Sequence, residues 1–149
     1  MKRQEVAIMI LTLIGLFLLP LTTTISRAAE GPPAKGEIRR AVATMDDKGV
    51  QHIDVVGGEY YYDPNYIVVK VNKPVELRVK KAGGFIPHNI IVKAPEAGID
   101  FKVELKNDYQ TIRFTPTKVG KYTMYCDHRF LWFASHREKG MEGTIDVVE

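Results

Sequence analysis

The chain has 149 residues, 45% of them hydrophobic and 26% charged, with a formal net charge of +3, one cysteine and one tryptophan. That length suits one domain around one core, and a lone cysteine excludes an internal disulfide. Lys2, Arg3 and Arg27 all lie within the first 28 residues, so the remainder is nearly neutral and nothing in its charge argues for nucleic-acid binding.

In chain order, Lys2 and Arg3 precede an apolar run from Val6 to Leu19, followed by Pro20, Thr22-Thr23-Thr24 and the small-residue exit Ser26-Arg27-Ala28-Ala29. A charged start, a short apolar centre and a small-residue exit describe an export signal, cut near Ala28 or Ala29. An uncleaved N-terminal membrane anchor is the alternative, although the strictly apolar run falls short of the ~20 residues that span a bilayer. On either reading the rest of the chain is extracytoplasmic: periplasmic, or anchored at the outer face of the inner membrane. Residues 1–28 are thus the expected export segment, 29–36, with Pro32 and Pro33, a linker, and 37–149 the domain.

Within 37–149 the pattern is one of short strands separated by Gly, Pro, Asn and Asp. It predicts strands over 37–45, 50–56, 66–71, 75–80, 88–93, 99–104, 109–114, 121–126 and 143–148, and no amphipathic helix. Val75, Leu77 and Val79 alternate with Glu76, Arg78 and Lys80, as a half-buried strand requires. Regularly spaced strands of this kind predict an all-β, two-sheet antiparallel sandwich. His52 falls in an alternating strand and is expected on the surface, and Tyr60-Tyr61-Tyr62-Asp63-Pro64 is expected to serve sheet and turn packing.

The chemistry gathers at the C-terminal end. Cys126 closes a strand in which Tyr122 and Met124 share its face, and His136 and Met141 follow before the last strand begins. Thiolate, imidazole and thioether on one loop form a soft ligand set that favours copper over magnesium, calcium or manganese, and a second imidazole would complete a His2Cys site with a weak axial Met. His88 is the candidate: Gly83-Gly84 gives a flexible approach, Pro87 stiffens the preceding residue, and an apolar strand starts at His88 itself. His128, two residues from Cys126, and the Asp127 carboxylate remain alternative contacts.

The strings GGFIPHNIIV (83–92) and VGKYTMYC (119–126), followed by His136 and GMEGTIDVV (140–148), resemble the cupredoxins of the plastocyanin and pseudoazurin group. The resemblance runs from about Tyr60 to the C-terminus and implies a Greek-key β-sandwich with one copper ion cycling between Cu(I) and Cu(II). It implies His88, Cys126, His136 and Met141 as the copper ligands, and an Asn89 that braces the cysteine loop. The departure is the spacing. Plastocyanin-like members carry two residues between the Cys and His ligands, whereas nine separate Cys126 from His136; copper nitrite reductases have a similarly extended loop. The spacing of His136, Gly140, Met141 and Gly143 follows the short-loop pattern, which makes His136 rather than His128 the implied ligand.

The extra residues include Phe130-Leu131-Trp132-Phe133. They could form a docking patch beside His136, ringed by Arg129, Arg137 and Lys139 and suited to an acidic partner or anionic lipid headgroups. The rival reading, a lid that packs on itself over the site with one or two aromatics left exposed, is the expectation carried forward. The functional expectation is an exported, monomeric, non-enzymatic electron carrier that exchanges single electrons with redox proteins, possible membrane-bound ones included, and binds no nucleic acid. The alternatives are a copper-binding accessory domain of a respiratory quinol or cytochrome oxidase system, a copper carrier without redox turnover, and a zinc or metal-free module.

Overall fold

The computed structural model describes residues 31–34 and 36–149. The expected export segment and residues 29, 30 and 35 of the expected linker lie outside the described residues. Among those described, no helix is long and apolar enough to cross a membrane, and the only helical element is a 3-10 turn at Pro95–Ala97.

The described residues form eleven strands: β1 (Arg40–Val42), β2 (Thr44–Met45), β3 (Gln51–Gly58), β4 (Tyr61–Asp63), β5 (Tyr66–Lys70), β6 (Val75–Lys81), β7 (Asn89–Ala94), β8 (Ile99–Glu104), β9 (Gln110–Phe114), β10 (Gly120–Tyr125) and β11 (Glu142–Val148). One sheet has the order β1-β5-β11-β10-β7-β8, and the other the order β2-β3-β6-β9 with β4 paired to β3. Alternation sets which face each strand buries. Val75, Leu77 and Val79 of β6 are buried, and so are Ile145 and Val147 of β11. With Tyr62, Ile67, Ile90, Ile99 and Met124 they fill the space between the sheets.

Three features depart from expectation. The strand expected over 37–45 breaks at Ala43, so β1 joins one sheet and β2 the other. The tyrosine-rich segment serves sheet packing as expected, but does so through a strand that was not predicted, β4, whose Tyr62 is fully buried. The sheets are also mixed rather than antiparallel, because β1–β5, β5–β11 and β3–β6 run parallel. The reason is topological. Between β3 and β6 the chain visits β5 in the opposite sheet, and such a crossover returns a strand in the same direction as its neighbour, where a tight hairpin would reverse it.

This topology brings three chain breaks to one pole. Tyr125, the last residue of β10, pairs with Ile91 of β7 and with Glu142 of β11. Cys126 therefore leaves the sheet level with the start of β7 and the start of β11, where His88 and Met141 stand.

Candidate metal centre

His88 is the last residue before β7, and its carbonyl accepts a hydrogen bond from the Leu105 N–H at 2.8 Å. The Gly83 and Gly84 backbones both take positive φ, 103° and 77°, a conformation glycine adopts freely, and this turns the chain into that position. Cys126 and Met141 face one another across the base of the ligand loop, with the Cys126 N–H donating to the Met141 carbonyl at 3.1 Å. The Met141 N–H donates in turn to the His136 carbonyl at 2.9 Å. His88, Cys126, His136 and Met141 are all buried, at 3, 0, 5 and 0% exposure.

The ligand loop is closed a second time higher up. The His136 N–H donates to the His128 carbonyl at 2.8 Å, so residues 129–135 leave and re-enter the loop at one point. Bypassing that excursion, Cys126, Asp127 and His128 lead directly to His136. Two residues then separate the thiol from the imidazole, the spacing of the short-loop proteins. The extra residues thus extend the loop outward without displacing its ends.

Three donor atoms converge. His88 Nδ1 and His136 Nδ1 stand 3.1 Å apart, and Cys126 Sγ lies 3.5 Å from His136 Nδ1. One atom from each of the three lies within 4.8 Å of the others. With edges of 3.1 and 3.5 Å and a third no longer than 4.8 Å, the triangle has a point about 2–2.4 Å from all three donors, close to metal–imidazole and metal–thiolate bond lengths. The donor set therefore fits a soft or borderline metal ion. The Met141 methyl extends toward β3, 3.4 Å from where a Cβ on Gly57 would stand.

Asn89 holds the cysteine loop through backbone and side chain together. Its N–H points at Cys126 Sγ at 3.5 Å, its Nδ2 donates to Asp127 Oδ1 at 2.7 Å, and its Oδ1 accepts from the Asp127 N–H at 3.2 Å. The Asn89 carbonyl accepts the Tyr62 hydroxyl at 2.6 Å, which ties the brace to the core.

The alternative contacts point elsewhere. His128 Nε2 pairs with Glu104 Oε2 at 2.7 Å, and Asp127 Oδ2 pairs with Lys102 Nζ at the same distance. Neither belongs to the three-donor group. His52 sits half-exposed on the outer face of its sheet beside Asp46. The insert is not a closed lid: Phe130, Leu131, Trp132 and Phe133 are all exposed, as is Phe85. Tyr60 was expected only to serve sheet and turn packing, yet its ring meets His136 edge-on at 5.0 Å while Lys139 Nζ lies 4.2 Å from its centroid. A positive φ of 64° at Tyr60 aims that ring, and no sequence pattern announces it.

Burial, reinforced by the charges of His136, His128 and Lys81, lowers His88 to about 4. Burial also lowers His136, helped by His128 and Lys139. Both imidazoles are therefore neutral and able to ligate at neutral pH. Burial pushes the Cys126 thiol up, against the N–H groups of Asn89 and His128. A metal ion would reverse that shift, since thiolate is the ligating form.

No family model and no curated protein matches the chain, but solved structures do. The metal-binding domain of the Cu(I)-exporting P-type ATPase CopA of Streptococcus pneumoniae D39 is similar at TM-score 0.57 and 22% identity, over 76% of this chain and 100% of that one. A chain of a heme-copper terminal oxidase dimer is similar at TM-score 0.55 and 16% identity, over 74% and 72%. Auracyanin A, a blue copper protein of Chloroflexus aurantiacus, is similar at TM-score 0.51 and 20% identity, over 67% and 100%. The described chain has the cupredoxin fold.

Proposed function

We propose that the chain is an exported copper protein that transfers single electrons, holding one ion through His88, Cys126 and His136 with Met141 as a weak axial ligand. The observation that carries this reading is the convergence of two Nδ1 atoms and one Sγ in a buried pocket already shaped around a point. Bound copper supplies a one-electron couple between Cu(I) and Cu(II). The chain's own contribution is rigidity. His88 is held through Leu105, the residue after β8, Cys126 through Asn89 and Met141, and His136 through the His128 carbonyl. With its donors fixed in this way, the site has little to rearrange when the charge changes. His136 is the ligand nearest the outside, because its ring borders an open cleft of about 390 Å³ shared with Tyr60, Phe85 and Phe133. Electrons would leave by that edge to a redox protein, and Met141 would tune the potential.

The CopA and oxidase neighbours keep a second reading, a copper carrier or an oxidase accessory domain, because one fold hosts several functions. The burial of all four side chains favours the first reading, since a carrier must release its ion readily. A single cysteine in the chain also speaks against a dinuclear site with two thiolates.

Titration of the full chain with Cu(II), followed by visible absorption, tests the proposal. One equivalent should raise an intense thiolate charge-transfer band, and Cys126→Ser should remove it. A stoichiometric but colourless copper complex would refute the electron-carrier reading.

A further inference from the structure

Residues 129–135 project from the metal pole as a closed excursion, and their apolar side chains find no place in the core. Trp132 is 82% exposed, and Phe130, Leu131 and Phe133 lie between 51 and 69%. A turn, closed by the Phe133 N–H donating to the Phe130 carbonyl at 3.0 Å with Leu131 at φ 50°, turns them outward. They touch chiefly one another: Phe130 stacks on Phe133 at 6.1 Å and Trp132 on Phe133 at 5.9 Å. Phe85, fully exposed on the Gly83-Gly84 turn, stands across the same cleft. Five large apolar side chains grouped on two adjacent loops exceed the scattered apolar exposure of an ordinary monomer surface.

The charge beneath this tip is cationic where it is uncompensated. Arg129 pairs with Glu138 and Arg137 with Glu142, and His128 with Glu104. Lys139 reaches only the Tyr60 hydroxyl and ring, and Lys81 only the Gly84 carbonyl. Neither lysine has a carboxylate partner among the described residues.

We propose that the 129–135 excursion, with Phe85, is a membrane-interface anchor that inserts its aromatic tip into an anionic lipid surface. Two properties select lipid over a folded partner. Trp132, the most exposed residue of the excursion, does not line the cleft that Phe85, Phe130 and Phe133 share, so it would need a separate matching pocket in a protein but only a yielding surface in a bilayer. The tip's composition is that of interfacial segments: Trp, Phe and Leu are exposed near Lys81 and Lys139, whose cations would meet the headgroups while the rings enter the acyl boundary. Anchored in this way, the cleft over His136 would lie close to the bilayer, within reach of a membrane-bound redox partner.

Trp132 is the only tryptophan of the chain, so its fluorescence reports on the excursion alone, whatever residues 1–30 do. The metal-free full chain is mixed with vesicles of phosphatidylglycerol, or of phosphatidylcholine, with and without brominated acyl chains. Phosphatidylglycerol should shift the emission to the blue, and brominated lipid should quench it. Phe130→Ser with Phe133→Ser should weaken the vesicle titration about tenfold or more. Lys81→Glu with Lys139→Glu should remove the preference for the anionic lipid while leaving the free protein's emission unchanged. Unaltered emission with both vesicle types overturns the proposal and leaves a protein partner for the patch. A blue shift that appears on concentrating the protein without lipid also overturns it, in favour of a second copy of this chain. Since the chain is metal-free throughout, the result stands apart from whether copper is the bound metal.

Discussion

His128 stands two residues from Cys126, yet its ring turns away from the thiol and gives Nε2 to Glu104 at 2.7 Å, while its backbone carbonyl receives the His136 N–H. The side chain is a tether to β8, and the main chain is the hinge post on which the excursion closes. His136 instead brings Nδ1 to within 3.1 Å of its counterpart on His88. The two histidines should therefore separate cleanly in the copper titration. His136→Ala should abolish the thiolate band. His128→Ala keeps the backbone contact and should leave the band in place, at the cost of one partly exposed hydrogen bond to Glu104 of roughly 1 kcal/mol. A band lost in His128→Ala and kept in His136→Ala would show that the ligand has been misassigned. Sequence spacing from His136 to Met141 pointed to His136, but the reason for the long loop stayed hidden, because the hydrogen bond that shortens it is made by backbone atoms that every residue possesses.

At the scale of elements, alternation was enough to locate β3 and β5 to β11 within a residue or two, because a strand with one buried face writes its period into the residue types. What was hidden depends on partners remote in sequence. The first strand changes sheets just past the Ala43 N–H, whose bond to the Val68 carbonyl at 2.9 Å is the last rung of the β1–β5 ladder, and the parallel pairing of β5 with β11 joins residues 66–70 to residues 144–148. Gly143 marks that second junction. A Cβ there would strike the Asn65 carbonyl oxygen and the Met124 side chain, and Asn65 O is the acceptor that aligns Thr144 of β11 beside β5 at 2.8 Å. Gly143→Ala must push the two strands apart at their first pair, whose Thr144 lies three residues from Met141. It should lower stability by about 1–3 kcal/mol, as overpacking does, read as a reduced denaturant midpoint. An unchanged midpoint would mean that the start of β11 is pliant and cannot be what holds Met141 in place.

For the whole molecule, the ligand pocket couples stability to pH even without metal. An unfolded chain protonates its histidines near 6.5, whereas the folded chain, through burial and neighbouring charge, delays His88 to about 4 and also lowers His136. Between those values the unfolded state binds more protons, so stability is fully present above about pH 6.5 and drains away as pH falls toward 4. Cys126 acts on the other side. Its pKa is raised by burial above the ordinary 9.0, so an unfolded thiol ionises first and stability declines as pH rises past 9. The metal-free fold should therefore be most stable between about pH 6.5 and 9 and carry a histidine-dependent slope on the acid side. Thermal unfolding of the metal-free chain from pH 8 to 4 tests this, with His88→Gln as the comparison. The variant should show a flatter acid limb, since it removes the larger of the two lowered groups while keeping a polar side chain of similar reach. Equal slopes in both proteins would mean that the pocket admits protons as readily as water does, and then its buried imidazoles could not be the preformed, neutral donors on which metal binding at this pole depends.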